Sequence, residues 1–371
     1  MPLITRLSGK RRGGNHAGTQ GAAERRKVRR VGVRLADVAR EAGVSLATVD
    51  RVVNERPGVR RRTADHIWDT IQRLESTPLP GQPAAGRCPL HFDVVLPAGP
   101  NTFMQNLDDQ VVALGRELSA QDATVTCHRI EGFNPAVLAA TLLDLGETSN
   151  GLAIAALENP VVREAVNLLA ERGVPVVTLV CDLSNARTVG YVGLDNRAAG
   201  RTAGYLMGRF AGGRAGPVAL IAGSIGLSYR DHQERELGFR DALYEHFSNL
   251  TIADRFEDLD DFQKGHEQTN IILDRFPDLL GIYNIGGGTR GIAAALKERG
   301  VAGRVIFIGH DITRFTRQFL IDGVMDAVIN QDVTHEATAA LQHLLAFHNR
   351  PLPSPRLGAP RIEIFVRENM P

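Results

Sequence analysis

The chain has 371 residues, which is long enough for two or three compact units with cores of their own. Hydrophobic residues make up 43% and charged residues 23%, and both values are ordinary for a globular protein. No apolar run reaches the ~18 residues of a membrane span, and residues 1–33 lack the apolar segment of a secretory signal. We therefore expect a cytoplasmic protein without membrane contact.

Cysteine usage excludes two further classes. Cys88, Cys127 and Cys181 lie far apart with no CxxC pair, so neither a disulfide framework nor a metal site is expected. No nucleophile elbow, paired catalytic carboxylates or cofactor fingerprint is recognisable, so the sequence predicts no enzyme and no cofactor.

Charge is distributed unevenly, although the net charge is only +1. Residues 1–90 contain 18 Lys and Arg against 8 Asp and Glu, whereas the remainder contains 25 against 34. A basic N-terminal part joined to an acidic body is typical of a polyanion-binding module on a carrier. The alternative is a basic disordered tail with no such role.

The first 90 residues divide into three parts. Residues 1–33 have almost nothing to bury and are predicted to form a disordered basic tail. Residues 34–76 show helical periodicity with a tight break at Gly43, and a third helix is expected over about 61–75 with Trp68 packed in its small core. Residues 77–90 are rich in Pro and Gly, which predicts a linker or hinge.

The segment from Arg34 to Asn54 has the order of residue types of a helix-turn-helix. Gly43 can take the left-handed conformation that ends a helix, and Ser45 is a good N-cap for the next one. Val49 and Val52 are expected to face the core, which leaves Arg51 outward. The alternative is a structural helical hairpin inside a larger domain.

A helix of this kind enters the major groove of double-stranded DNA, where Arg51 is the best candidate for a guanine contact or, as an alternative, a phosphate contact. Asp50 is also expected outward, where it would repel phosphate unless it accepts from cytosine or pairs with an arginine. The predicted DNA-binding residues are Ser45, Leu46, Ala47, Thr48, Arg51, Asn54, Arg60 and Arg61.

From residue 91 to residue 371, eleven runs rich in Val and Ile alternate for the most part with amphipathic stretches of helical length. Strand and helix in alternation predict parallel sheets covered by helices on both faces. Eleven strands are more than a single sheet usually contains. The fold class is therefore expected to be α/β, with a small all-α headpiece followed by two doubly wound parallel lobes. Ligands of such folds bind at the carboxyl ends of the strands.

The segment "LADVAREAGVSLATVDRVVN" resembles the headpiece of the lactose-repressor (LacI/GalR) family of bacterial regulators, and the body resembles the periplasmic-binding-protein-like core of that family. The resemblance covers residues 34–371. It implies a homodimer that binds a near-palindromic operator, with a small effector changing DNA affinity. The sequence departs from the family at Asp50, where a small hydroxyl residue is usual, and in the hinge, which lacks a clear minor-groove helix.

Polar side chains that follow the predicted strands, several of them also matched by the resemblance, are the candidate effector-binding residues. They are Asn101, Phe103, Cys181, Asp182, Arg230, Arg235, Asn284, Asp311 and Gln331, with the register uncertain by one residue at Cys181 and Asp182 and Gly286 as an alternative to Asn284. Carboxylates, amides and a guanidinium suit a sugar, a polyol or a sugar derivative. Alternatives are a ligand-free Arg235–Asp311 ion pair, a turn role for Asp182 and a core role for Phe103.

These features predict a ligand-responsive, sequence-specific DNA-binding regulator, most simply a repressor of sugar or polyol genes. The alternative functions are a solute-binding protein of a transport system and, less simply, a sugar-modifying enzyme. The sequence leaves the identity of the effector open among pentoses, hexoses, polyols and sugar phosphates.

Overall fold

A computed structural model describes residues 35–54, 56, 58–76, 88–131, 134–224, 229–350, 352 and 357–370. The chain divides into two compact units, residues 1–87 and residues 88–371. The predicted tail and most of the predicted linker, residues 77–87, lie outside the described residues. Within the described part, no helix combines the length and apolar character needed to cross a membrane.

The first unit contains three helices: α1 (Leu35–Glu41), α2 (Leu46–Val53) and α3 (Arg61–Ser76). Gly43 has a φ of 64° in the turn between α1 and α2, and the hydroxyl of Ser45 accepts from the backbone N–H of Thr48 at 3.2 Å. Val38, Val49 and Ile67 are fully buried where the helices meet, and Trp68 packs against this core. The unit is therefore the helix-turn-helix that the periodicity predicts.

The second unit has two sheets, each forming one lobe. Lobe 1 has a parallel sheet in the order β2-β1-β3-β4-β5. Its strands are β1 (Leu90–Pro97), β2 (Ala123–Ile130), β3 (Gly151–Ile154), β4 (Val176–Leu179) and β5 (Gly190–Val192). Its helices are α4 (Thr102–Leu118), α5 (Pro135–Leu145), α6 (Pro160–Glu171) and the later α12 (Val333–Phe347).

Lobe 2 has a sheet in the order β11-β10-β9-β8-β6-β7. Its strands are β6 (Gly216–Ala222), β7 (Leu250–Glu257), β8 (Gly281–Asn284), β9 (Ile306–His310), β10 (Ala327–Asn330) and β11 (Glu363–Phe365). Its helices are α7 (Asn196–Ala211), α8 (Arg230–His246), α9 (Phe262–Arg275), α10 (Thr289–Glu298) and α11 (Arg314–Ile321).

The chain passes between the lobes three times: from β5 to α7, from β10 to α12 and from α12 back to β11. Asp195 caps α7 and Asp332 caps α12, each through its side-chain oxygen. Because strands of both lobes point their carboxyl ends toward these crossings, the loops that follow the strands meet in a cleft.

The alternating pattern predicts all eleven strands of the sheets, within a few residues at their ends. It misses helices α5 and α11, and α5 is apolar enough that little amphipathic periodicity remains. The expectation of two doubly wound parallel lobes is confirmed, with one exception at an edge, where β11 pairs with β10 in the antiparallel direction. An antiparallel edge strand on an otherwise parallel sheet is common in α/β folds.

Candidate functional site

A cavity of about 150 Å³ lies between the two lobes of the second unit, at the carboxyl ends of their strands. A cavity needs ~10–15 Å³ to hold one water molecule. The space therefore accommodates about ten water-sized groups, which is comparable to one sugar ring. It is lined by residues 97–101, Phe103, Met104, Ala155, Val180, Cys181, Tyr229, Asp231, His232, Arg235, Leu259, Asp260, Gly286, Asp311 and Gln331. Six of the nine effector-binding candidates are among them.

Asn101 joins the two lobes across the mouth of the cavity. Its side-chain oxygen caps α4 by accepting from the backbone N–H groups of Phe103 at 3.0 Å and Met104 at 3.3 Å. Its amide nitrogen Nδ2 donates to Oδ2 of Asp260, in lobe 2, at 2.8 Å. Phe103 is 5% exposed and belongs to the lobe 1 core while it also lines the cavity, so it has both of the roles weighed for it.

Arg235 extends from α8 and is almost wholly buried. Its Nε donates to Oδ1 of Asn196 at 2.7 Å and its Nη1 to the backbone oxygen of Ile285 at 3.0 Å. Its Nη2 is buried and has no hydrogen-bond partner. The Arg235–Asp311 ion pair considered from the sequence is absent from these described residues, so Nη2 retains a donor for a ligand.

Asp311 and Gln331 follow β9 and β10 on the lobe 2 side of the cavity. Burial raises the pKa of Asp311 to about 6, although the charge of Arg235 and the Gln331 side chain lower it. Oδ1 of Asp311 and Oε1 of Gln331 are both buried without a partner. The preceding residue, His310, accepts or donates one hydrogen bond with Tyr283 at 2.8 Å, and burial lowers its pKa well below the usual value.

Cys181 and Asp231 meet at the junction of the lobes. The Cys181 thiol donates to Oδ1 of Asp231 at 3.0 Å, and both residues are buried. Burial alone would raise the pKa of Asp231, but the neighbouring His232 and Arg235 hold it below the usual value. Asp231 is therefore a carboxylate at neutral pH, and the thiol is positioned by it.

Three candidates do not line this cavity. Asp182 accepts from Thr178 Oγ1 at 3.0 Å and pairs with Arg230 at 3.5 Å in an adjoining cavity near the first crossing. Asn284 is fully buried and donates to the backbone oxygen of Gly287 and, at 3.0 Å, to Thr289. Asp182 and Arg230 thus pair with each other outside the interlobe cavity. Asn284 instead holds the glycine loop, residues 286–288, through its hydrogen bond to Gly287.

The candidate set also omits polar residues that the structure brings to the cavity, chiefly Asp231, His232 and Asp260. Asp260 belongs to an acidic run directly after β7, and it accepts from the backbone N–H of Gly287 as well as from Asn101. An acidic run at the carboxyl end of a strand is the signal that could have identified it. The packing of that run against the glycine loop comes from long-range contacts that the sequence alone does not specify.

A smaller hollow of about 60 Å³ adjoins the cavity, and Asn101 and Asp260 line both spaces. Arg290 lines the hollow and lies near two aromatic rings, 5.8 Å from the centre of Phe262 and 4.8 Å from that of Phe315. The Asn101–Asp260 hydrogen bond thus lies where the cavity and an aromatic hollow adjoin.

Most of the predicted DNA-binding side chains are exposed in the first unit. Leu46 is 52% exposed, and Ala47, Arg51, Arg60 and Arg61 are exposed as well. Thr48 is half-buried and shares a 2.8 Å hydrogen bond with Ser45, the N-cap of α2. Free guanidinium groups next to an exposed helix start are suited to phosphate and base contacts.

Asp50 is engaged by residues of the first unit. Its Oδ2 pairs with Nη1 of Arg56 at 2.9 Å, and its Oδ1 accepts from Asn54 Nδ2 at 2.8 Å. The pairing with an arginine is one of the two resolutions considered for this unusual acid. Asn54, predicted to contact DNA, is exposed and forms the C-cap of α2.

A helix-turn-helix unit joined to a two-lobed α/β unit with a polar cleft defines the class of DNA-binding proteins that carry a small-molecule-binding domain. The chain belongs to the periplasmic binding protein domain family, whose model matches residues 92–348, and residues 34–78 match the lacI family of bacterial regulatory proteins. The family assignment from the headpiece and body is therefore confirmed.

Curated relatives match the first unit alone. Over 46 residues the chain is 52% identical both to the HTH-type transcriptional regulator pepR1 of Lactobacillus delbrueckii subsp. lactis and to catabolite control protein A of Priestia megaterium. These residues are 12% of this chain, and they span 14% of the length of each relative.

Solved structures resemble the second unit. A glucose-galactose binding protein, GanP from Geobacillus stearothermophilus, matches with a TM-score of 0.67 and 21% identity, over 77% of this chain and 100% of its own. A solute binding protein of an ABC transporter from Burkholderia graminis, in complex with D-arabinose, matches with a TM-score of 0.67 and 21% identity, over 76% of this chain and 96% of its own. At these identities the likeness shows the fold.

Proposed function

We propose that this protein is a cytoplasmic, ligand-responsive DNA-binding transcription regulator, acting as a repressor of sugar or polyol genes. The observation that carries the proposal is the presence, in one chain, of an exposed helix-turn-helix surface and a separate cleft whose buried polar atoms lack partners. The first supplies DNA binding and the second supplies a reason for regulation. The similarity of 34–78 to lacI-family regulators supports the same function.

The proposed DNA interface consists of Ser45, Leu46, Ala47, Thr48, Arg51, Asn54, Arg60 and Arg61. Within it, the first turn of α2 meets base edges, Arg51 contacts a guanine or a phosphate, and the arginines at the start of α3 contact phosphate. Two copies in a homodimer would match two half-sites about one helical turn apart.

The proposed effector site is the interlobe cavity, with Asn101, Phe103, Cys181, Arg235, Asp311 and Gln331 as direct contacts. A sugar or polyol ring has an apolar face for Phe103 and hydroxyl groups that can both donate and accept. Similarity of the fold to a glucose-galactose binding protein and to a structure in complex with D-arabinose supports this ligand class. Ligand binding closes the cleft and is coupled to DNA affinity.

The test has two stages with the full-length protein. Selection from a random duplex library is expected to yield a near-palindromic consensus, and Arg51→Met is expected to lose it while Arg240→Met, an exposed arginine of the second unit, retains it. A labelled consensus duplex is then titrated in the presence of sugars and polyols, where the active compound changes DNA affinity by ~5-fold or more. Binding with no sequence preference, or DNA affinity that no cleft ligand alters, contradicts the proposal.

A further inference from the structure

Four buried side-chain atoms of cavity-lining residues lack hydrogen-bond partners. One is Nδ1 of His232, which donates or accepts according to the tautomer of the ring. The other three have a fixed role: Nη2 of Arg235, Oδ1 of Asp311 and Oε1 of Gln331. One is a donor and two are acceptors, Asp311 in its ionised form. A ligand that satisfies all three must therefore bring at least two donors and one acceptor. Hydroxyl groups meet this requirement, whereas a phosphate dianion or a carboxylate brings acceptors alone and leaves Asp311 and Gln331 unpaired.

The cavity is also acidic. Carboxyl groups reach it from three separate elements: Asp231 from α8, Asp260 from the loop after β7 and Asp311 from the end of β9. Among the described residues that line it, Arg235 is the only Lys or Arg. Each of these four groups is fixed by its packing, so their charges act on whatever occupies the space between them.

The protonation states support an excess of negative charge. The pKa of Asp231 lies below its usual value and that of Asp311 is about 6, so both are ionised at neutral pH. Glu336, at the start of α12, is fully buried with both carboxyl oxygens unpartnered. Burial, reinforced by Asp311, raises its pKa well above the usual value, so it adds no charge. The carboxyl groups of Asp231, Asp260 and Asp311 thus outnumber the basic side chains of the lining, Arg235 and His232.

Asp260 does not relieve this imbalance. Its two oxygens accept from Asn101 and from the backbone of Gly287, which are neutral donors. Arg235 likewise donates from its Nε and Nη1 to neutral acceptors, the side chain of Asn196 and the backbone oxygen of Ile285. The two nearby histidines differ in their effect. His232 lies 3.8 Å from Asp231 and helps to keep the pKa of that carboxyl low, whereas burial lowers the pKa of His310 well below its usual value.

We propose that the cavity selects a polyhydroxylated ligand without negative charge, tolerates an amine in place of a hydroxyl, and rejects phosphate and carboxylate derivatives of the same molecule. The inference rests on the proposed function and narrows its effector class. Sugar phosphates and sugar acids, which the residue types alone leave open, are excluded. The effector is then a molecule that has not yet been phosphorylated or oxidised to an acid, and kinases or dehydrogenases that introduce such groups consume it.

The experiment compares matched compounds on the full-length protein. Each set holds a parent sugar, its 2-amino-2-deoxy derivative, its phosphate and its uronic acid, built on glucose, galactose and mannose, with glycerol, 2-amino-1,3-propanediol and glycerol 3-phosphate as an acyclic set. Binding is measured by thermal shift and by calorimetry at pH 7.5. In the set that binds, the affinities for the parent sugar and for the amine are expected to lie within 10-fold of each other. The affinity for each anionic member is expected to be at least 30-fold lower than that for the parent sugar.

Charge variants separate this proposal from simple steric exclusion. Asp231→Asn keeps an acceptor for the Cys181 thiol and removes one negative charge. The variant is expected to reduce the ratio of the affinity for the parent sugar to the affinity for its phosphate by at least 3-fold. Asp278→Asn, an exposed position away from the cavity, makes the same chemical change and is expected to leave this ratio unchanged. If Asp231→Asn is unstable, Asp311→Asn serves as the second variant, with the same expectation.

The outcomes distinguish the two proposals. If a phosphate or uronate binds as tightly as its parent and alters DNA affinity, the charge inference is overturned and the regulator function stands. If the ratio of affinities for the parent sugar and its phosphate is the same in Asp231→Asn, Asp311→Asn and Asp278→Asn, the phosphate is not excluded by charge. The inference is then also overturned. If no compound of any charge binds, both this inference and the sugar or polyol effector of the proposed function fail.

Discussion

Nδ2 of Asn101 in lobe 1 donates to Oδ2 of Asp260 in lobe 2 at 2.8 Å, and this hydrogen bond joins the two lobes where the cavity and the smaller hollow adjoin. The same Asn101 caps α4 through its other side-chain atom. The bridge is therefore anchored to the first turn of a helix rather than to a loop.

Asn101→Asp is expected to open the cleft. The variant keeps an oxygen for the cap of α4 but places a second carboxylate against Asp260, so attraction becomes repulsion. Small-angle scattering of the ligand-free protein is expected to show a larger radius of gyration. Asn134→Asp, at the cap of α5 where the side chain accepts from Val137, is the matched control and should scatter like the parent. Identical curves for both variants would show that the bridge does not hold the lobes.

Asp258 predicts a pH dependence of stability. It is fully buried, and burial together with Asp260 raises its pKa from 3.8 to about 8. Because the folded state holds this proton more tightly than the unfolded state, stability is lost as pH rises from about 4 to about 8. Asp258→Asn removes this loss. Between pH 5 and pH 9, the free energy of unfolding is expected to fall by ~1–4 kcal/mol more in the parent than in the variant, measured by urea denaturation.

Arg235→Lys is expected to abolish ligand binding and to lower stability by ~1–3 kcal/mol. An ammonium group keeps the charge, but it cannot donate in the fixed directions of Asn196, Ile285 and a ligand together. Arg240→Lys, on the exposed face of the same helix, is the control and should behave like the parent. Retention of full affinity in Arg235→Lys would mean that the buried guanidinium does not contact the ligand.

Gly200→Ala tests how closely α7 and α8 pack. A Cβ at this position would overlap the backbone oxygen of Arg235, which cannot move without shifting the helix. Overpacking of this kind is expected to cost ~1–3 kcal/mol and to weaken ligand binding as α8 is displaced. Gly115→Ala in α4, where the added carbon meets a side chain at 3.2 Å, is the milder comparison. Thermal denaturation with and without ligand gives both quantities.

Asp50→Asn is expected to strengthen DNA binding. The change weakens the pairing with Arg56 and removes one negative charge from the proposed DNA-binding surface. Affinity for unrelated duplex is expected to rise ~3–10-fold, and the dependence of affinity on salt to become steeper by about one counterion. Asp69→Asn, exposed on α3, makes the same charge change away from α2 and should have a smaller effect. Fluorescence anisotropy at several salt concentrations provides the measurement.

Periodicity predicts the helix-turn-helix and the strands because local physics decides them: Gly43 must adopt positive φ, Ser45 must cap a helix, and Val and Ile runs must be buried between helices. Residues at strand ends, such as Asp311, follow from the rule that parallel sheets bind at their carboxyl edge. Asn284 lies outside the cavity lining because the position at a strand end does not give the direction of a side chain: its amide donates to the backbone oxygen of Gly287. Asp260 is missed because its place depends on the packing of two loops.

The three passages between the lobes restrict how the second unit can move. Asp195 and Asp332 fix the first turns of α7 and α12 directly after two of these passages, so bending there is confined to a few backbone torsions. Three connections between the same two lobes permit fewer relative motions than a single connection would. Under the proposed function, a ligand that draws the lobes together therefore acts on a restricted set of lobe motions, and any change in DNA binding starts from that set.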